Sequence, residues 1–157
     1  FTPWTTLEDY CEMFDIVKSN NLIDAIDPVQ YTVRLLIPPG SALLSRTAIQ
    51  KFLGLLDQAA FQYQWTHPDP RMDRLHHAVR VAVEEAARVG DDPAVTFERL
   101  RALACGVADR QPPVSGAAGL RPRMSPRPPR LTEPWFCCAE PTKGQFRLLR
   151  TERQDGI

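Results

Sequence analysis

The 157-residue chain has no excess of charge of either sign, because its 19 basic and 19 acidic residues cancel. Proteins that bind nucleic acid through its phosphates usually carry a basic excess, so we expect no nucleic-acid partner. No apolar run approaches the roughly 20 residues that span a bilayer. A signal-peptide pattern is also missing. The sequence therefore predicts a cytoplasmic protein that does not act on a membrane.

Cysteine is scarce, and its spacing excludes the common metal motif. None of the four cysteines stands in a CxxC pair, which argues against a zinc site within this chain. In a chain without secretion signals, cysteines are more often thiols or metal ligands than structural disulfides. Cys11 and Cys105 fall within helical patterns, and we interpret both as buried packing residues.

Hydrophobic residues make up 43% of the chain and charged residues 24%, which is ordinary for a globular domain. Apolar residues recur at helical spacing in four segments. The predicted helices run from about Thr6 to Asn20 with Thr5 as N-cap and Glu8 completing a capping box, from about Ser45 to Leu56, from Asp73 as N-cap to Gly90, and from Asp92-Pro93 to Val107.

One segment alternates with the period of a strand. Val29 to Ile37 places its apolar residues on one face and Gln30, Thr32 and Arg34 on the other, and Pro38-Pro39 ends it. A single strand is not a stable sheet. Because the chain also begins at Phe1 without a methionine, we interpret it as a fragment whose flanking strands lie elsewhere. The predicted fold class is α/β, the last βα units of a barrel or open sheet.

Arg34 and Gln30 are the candidate binding residues of this strand. Polar groups near the C-terminal ends of barrel strands usually line the ligand site, and an arginine can hold a carboxylate through two parallel hydrogen bonds. The alternative is an edge strand with one solvated face. His67 lies in a predicted connector, Ala60 to Arg71, and is a weak candidate. His76 and His77 are adjacent on a helix and form a poor metal pair.

The C-terminal part differs in composition from the rest. Residues 111–134 hold seven of the 15 prolines and several arginines, which is typical of an extended linker. The tail, residues 135–157, opens with Trp135-Phe136-Cys137-Cys138-Ala139-Glu140-Pro141. Cys137 and Cys138 are the candidate catalytic residues, as thiols carried on a mobile arm. Two alternatives are an aromatic plug with small hydrophobic cysteines, and a soft-metal ligand pair.

The tail resembles that of the radical S-adenosylmethionine (SAM) proteins named for a CUAEP or CCAEP terminus, in some of which selenocysteine replaces one cysteine. The stretches Phe1–Leu7 and Asp27–Ser41, which contains Arg-Leu-Leu-Ile-Pro-Pro-Gly-Ser, resemble the C-terminal half of a radical SAM barrel. Residues 1–110 would then belong to that barrel and a helical extension. The resemblance covers essentially the whole chain.

The resemblance implies a partial (β/α) barrel, a [4Fe-4S] cluster, and S-adenosylmethionine cleaved to a 5′-deoxyadenosyl radical. It implies Arg34 and Gln30 near the cofactor, Cys137 and Cys138 near an unidentified small-molecule or peptide substrate, and an N-terminal barrel half as partner. The CxxxCxxC motif that holds such clusters is absent here and is expected upstream of Phe1. Two non-radical hypotheses remain: an interaction domain with a docking arm, and a thiol redox or metal-binding protein.

Overall fold

The computed structural model describes residues 1–110, so the predicted linker and tail, with Cys137 and Cys138, lie outside the described residues. The fold is mixed α/β and mostly helical. Its elements, in chain order, are α1 (Leu7–Ser19), a first 3₁₀-helix (Pro28–Thr32), a second 3₁₀-helix (Ala42–Ser45), α2 (Thr47–Gln50), β1 (Leu53–Asp57), β2 (Gln62–Trp65), α3 (Pro70–Val89) and α4 (Pro93–Val107). No helix among these is long and apolar enough to cross a membrane.

The capping box of α1 is present, one residue later than predicted. The Thr6 hydroxyl accepts from the Asp9 backbone N–H at 3.1 Å, and the Asp9 carboxylate accepts from the Thr6 N–H at 2.8 Å. Asp9 therefore takes the role that the sequence assigned to Glu8. The Thr5 hydroxyl instead forms a hydrogen bond with the Thr2 hydroxyl at 2.8 Å. The predicted helix is confirmed, and the predicted cap residues are wrong.

Three Asp-Pro pairs each begin a helix. The side chains of Asp27, Asp69 and Asp92 each accept a hydrogen bond from the backbone N–H two residues later, and the proline supplies a preset helical φ. The prediction for α4 is confirmed. The prediction that Asp73 caps α3 is wrong, because Asp69 does so one turn earlier. α3 ends at Gly90 in the left-handed conformation, as predicted.

The predicted strand from Val29 to Ile37 is wrong. Its first part is the 3₁₀-helix that Asp27 caps, and the Thr32 hydroxyl donates to the Val29 carbonyl at 2.7 Å. We call residues 33–37 the central segment. It contains no assigned strand, yet the Ile37 carbonyl accepts from the Tyr63 N–H at 2.8 Å. The central segment thus lies beside β2.

The helix predicted from Ser45 to Leu56 is also mostly wrong. Only Thr47–Gln50 is α-helical, and the chain then enters β1, which pairs antiparallel with β2. The predicted connector from Ala60 therefore contains a strand. The Asp57 carboxylate fixes the turn between the strands by accepting from two backbone N–H groups. β1 and β2 form the one sheet within residues 1–110, and these residues do not form a closed barrel.

Two apolar cores stabilise the described residues. The larger core joins α1, α3, α4 and the first 3₁₀-helix around Phe14, whose ring lies 5.2 Å from those of Tyr31 and Phe97. The smaller core joins the central segment, α2 and β2 through Ile37, Ile49 and Trp65. Tyr31 and Ile37 belong to different cores, so the few residues between them connect the two.

Val79 and Val81 of α3 give a matched test of the larger core. The Val79 side chain is 0% exposed and that of Val81 is 46% exposed. We expect Val79→Ala to lower the free energy of unfolding by about 2 kcal/mol, because buried methyl groups are lost and a cavity remains. Val81→Ala should change it by less than about 0.5 kcal/mol. Urea unfolding measures both, and equal losses would contradict this placement of α3.

Candidate functional site

Arg34 lies at the centre of a polar cluster where the central segment meets β2 and the start of α3. Its Nη1 donates to Asp73 Oδ1 at 2.9 Å, and its Nη2 donates to the Trp65 carbonyl at 2.8 Å. The guanidinium carbon is 3.8 Å from the centre of the Trp65 ring. The Arg34 side chain is only 15% exposed. A cation this buried needs such partners, and the ring face supplies a further favourable electrostatic contact.

Both oxygens of the Asp73 carboxylate are occupied within this cluster. Oδ1 accepts from Arg34, and Oδ2 accepts from the His67 backbone N–H at 2.9 Å. Trp65 is itself fixed, because its indole N–H donates to the Leu35 carbonyl at 2.8 Å. The carboxylate that Arg34 holds is therefore one of the protein's own, on the first turns of α3.

The ring of His67 connects the start of α3 to the start of α1. Its Nδ1 lies 2.9 Å from the Asp69 backbone nitrogen and 3.0 Å from the Asp69 carbonyl oxygen. Its Nε2 donates to the Thr5 carbonyl at 2.9 Å. His67 is buried, and both ring nitrogens are used. The weak functional interpretation of His67 thus gives way to a structural one.

His76 is a second buried histidine beside the cluster. Its Nε2 donates to the Thr32 carbonyl at 3.1 Å, and its ring packs edge-on against that of Phe1 at 4.9 Å. Burial, and then the charge of Arg34, lower the pKa of His76 to about 4, although the hydrogen bond to Thr32 acts in the opposite direction. The imidazole is therefore neutral at pH 7. His77 is exposed, which confirms that the two histidines point to different faces.

The structure separates the residues that the sequence had grouped. Gln30 is exposed on the first 3₁₀-helix, so the helical turn removes the alternation that had placed it beside Arg34. Cys11 and Cys105 are buried in the larger core, as predicted. Among residues 1–110, no group of three His, Cys, Asp or Glu side chains is arranged to hold a metal ion.

The signals for the partners of Arg34 in the sequence are weak. Asp73 was interpreted as a helix cap, although Asp69-Pro70 has the same pattern as the correctly identified Asp92-Pro93. Had Asp69 been identified as the cap, Asp73 would have remained as a carboxylate without an assigned role. Trp65 offers no comparable signal, because its contact with Arg34 depends on how β2 lies beside the central segment.

We expect Arg34→Lys to lower the free energy of unfolding by about 2 kcal/mol. The three N–H donors of a lysine all lie on one nitrogen, so they do not reproduce the two separate contacts of Nη1 with Asp73 and Nη2 with the Trp65 carbonyl, and an ammonium group does not stack flat on the ring. The matched control is Arg99→Lys, because Arg99 pairs with Glu85 at 2.7 Å while both side chains are nearly half exposed. That variant should lose no more than about 0.5 kcal/mol. Similar losses in urea unfolding would contradict a special role for Arg34.

The low pKa of His76 makes stability depend on pH. The unfolded histidine takes up a proton near its ordinary pKa of 6.5, whereas the folded one does so only near 4. The unfolded state thus binds more protons between these values, and stability falls as the pH falls through that window. His76→Gln should remove a loss of about 2 kcal/mol between pH 6.5 and 4.5.

His77→Gln is the control for that experiment, since His77 is exposed on the same helix. The free energy of unfolding of this variant should follow that of the wild type across the whole pH range. Identical pH profiles for His76→Gln and wild type would show that His76 titrates normally in the folded protein.

No protein-family model, curated protein or solved structure matches the chain, so its function is inferred from its own residues.

Proposed function

We propose that the chain is the C-terminal part of a radical S-adenosylmethionine enzyme of unidentified substrate, with a thiol-bearing tail. The observation that carries the proposal is the tail Trp135-Phe136-Cys137-Cys138-Ala139-Glu140-Pro141, which occurs together with Arg34-Leu35-Leu36-Ile37-Pro38-Pro39-Gly40-Ser41 in one chain. Each stretch alone is short. Their order and their joint occurrence make the resemblance specific.

The hydrogen bonds of Phe1 support this proposal. The Phe1 amino group donates to the Val33 carbonyl at 2.6 Å, and the Phe1 carbonyl accepts from the Leu35 N–H at 2.9 Å. Bonds to the residues on either side of Arg34 follow the pattern of parallel strands. Neither segment is an assigned strand, but α1 lies between them in the chain, as the helix does in a βαβ unit.

Exposed apolar side chains beside this pairing also support the proposal. Trp4 is 49% exposed and Leu36 is 43% exposed. In an intact radical SAM barrel, further strands would cover apolar residues at this position. We therefore propose that the partner of this surface is the N-terminal barrel half.

The described residues do not fit an iron–sulfur cluster. Such clusters are held by several cysteine thiolates, whereas Cys11 and Cys105 are buried in a helical core and have no third ligand beside them. The proposal therefore assigns the cluster ligands to sequence outside this chain. Cys137 and Cys138 are assigned to the substrate, not to the cluster.

The proposed role of Arg34 is narrower than the sequence alone indicated. Direct binding of a cofactor carboxylate by Arg34 requires Asp73 to give way, because Asp73 already occupies Nη1. We propose that Arg34 positions the central segment, and with it the Pro38-Pro39 turn that comes next in the chain. Gln30 would contribute to cofactor binding from the neighbouring 3₁₀-helix, where its side chain is exposed.

One observation favours a second candidate function, a non-enzymatic interaction domain. Leu55 of β1 is 86% exposed and Phe61 in the following turn is 66% exposed, so the β1–β2 hairpin presents apolar groups to its surroundings. Exposed apolar groups of this size are typical of contact sites when they are adjacent. In this alternative, Trp135 and Phe136 would be further anchors for a partner.

Anaerobic reconstitution with iron and sulfide separates these functions. We expect the 157-residue chain alone to bind no [4Fe-4S] cluster, and the in-frame longer protein to bind one through an upstream CxxxCxxC motif. The longer protein should then release 5′-deoxyadenosine from S-adenosylmethionine when reduced. Visible absorption, iron content and product chromatography are the measurements.

Tail variants of the longer protein serve as controls. Cys137→Ser and Cys138→Ser should leave the iron content unchanged, whereas a metal-binding tail would lose metal in both. A closed reading frame at Phe1, with no CxxxCxxC motif upstream, would overturn the radical SAM proposal.

A further inference from the structure

Two salt bridges define how α1 and α4 lie against each other. Asp15 Oδ1 of α1 is 3.0 Å from Arg101 Nη2 of α4, and Lys18 Nζ is 2.6 Å from Glu98 Oε1. The step from Asp15 to Lys18 runs forward along α1, whereas the step between their partners, from Arg101 to Glu98, runs backward along α4. The two helices are therefore antiparallel, with a register fixed by charged pairs on one face.

The next contact along this face is a pair of thiols. Four residues backward from Asp15 is Cys11, and four residues forward from Arg101 is Cys105. Residues four apart lie on the same face of a helix, so the register places these cysteines opposite each other. Cys11 is 2% exposed and Cys105 is 5% exposed, and both belong to the larger core. Burial, and then the neighbouring Cys105 thiol, raise the pKa of Cys11, although the nearby guanidinium of Arg110 acts in the opposite direction.

Arg110 closes the open end of this thiol pair. Its backbone N–H donates to the Cys105 carbonyl at 3.0 Å, and its guanidinium is 3.6 Å from Asp15 Oδ2. Arg110 itself lies just beyond the C-terminus of α4, which ends at Val107. Because both thiols are buried, oxidation requires this end of α4 to separate transiently from α1.

We propose that Cys11 and Cys105 are a redox modification site, a reversible disulfide that links α1 to α4. The oxidant is a low-molecular-weight disulfide such as oxidised glutathione. One cysteine loses its proton and attacks a sulfur of the oxidant, forming a mixed disulfide and releasing one glutathione thiolate. The other cysteine then attacks the protein-bound sulfur, forms the Cys11–Cys105 bond and releases the second glutathione. The cysteines are oxidised and the glutathione disulfide is reduced to two thiols.

The linkage would stabilise the fold, because it joins residues near the two ends of the described chain. A cross-link over so long a loop removes much of the conformational freedom of the unfolded state. The site is independent of the proposed radical SAM function, since it uses neither the tail cysteines nor a cofactor.

The test is peptide mapping of the native full chain after equilibration with oxidised glutathione. Cleavage after Lys18, Arg101, Arg110 and Arg130 places Cys11, Cys105 and the tail cysteines in three separate peptides. We expect a peptide pair joined through Cys11 and Cys105, which a dithiol reductant separates again. The oxidised protein should melt higher than the reduced protein by on the order of 10 °C.

A register control tests the geometry without changing the number of thiols. In Cys11→Ala with Glu12→Cys, the thiol moves about 100° around α1 to an exposed position. This double variant should lose the cross-link to Cys105, and so should the single variant Cys105→Ser. The main test uses the wild-type protein, so its outcome does not depend on whether either variant folds. Free thiols at Cys11 and Cys105 after equilibration, or Cys11 joined to the tail peptide instead, would overturn the proposal.

Discussion

The guanidinium group of Arg34 is the constraint on which the described structure depends. It is largely withdrawn from water, so its positive charge requires partners close by. Those partners come from two elements: the ring and carbonyl of Trp65 at the end of β2, and the carboxylate of Asp73 on α3. Because Arg34 lies between Tyr31 of one core and Ile37 of the other, satisfying one charge also fixes how the two cores lie together.

The three long helices were predictable because their signals are local. An aspartate before a proline has the same effect at Asp27, Asp69 and Asp92, since it accepts a backbone N–H that the helix leaves free while the proline needs no partner for its nitrogen. The sequence prediction assigns the correct cap to α4, at Asp92, but not to α3 or the first 3₁₀-helix. Reading the other two in the same way would have placed the start of α3 correctly and would have indicated a helical turn where a strand was predicted.

The strands were not predictable for a physical reason. Phe52, Leu53 and Leu56 have helical spacing together with Ile49, and a short apolar run of this kind fits a helix as well as a strand. Its choice of β structure depends on pairing with β2, from which the turn at Asp57 separates it. Residues 29–37 show the opposite case, in which a strand-like alternation yields to a capped 3₁₀-helix.

The candidate site shows the same division between local and distant information. Local chemistry indicated that Arg34 requires a carboxylate, and that Cys11 and Cys105 are buried. It did not indicate that the carboxylate belongs to Asp73, or that the two thiols lie opposite each other. The first follows from how the central segment lies against α3, and the second from how α1 packs against α4, where Asp15 pairs with Arg101. The Asp15–Arg101 ion pair, whose arginine side chain is only 5% exposed, thus helps to place the two neutral thiols that lie one turn further along the helices.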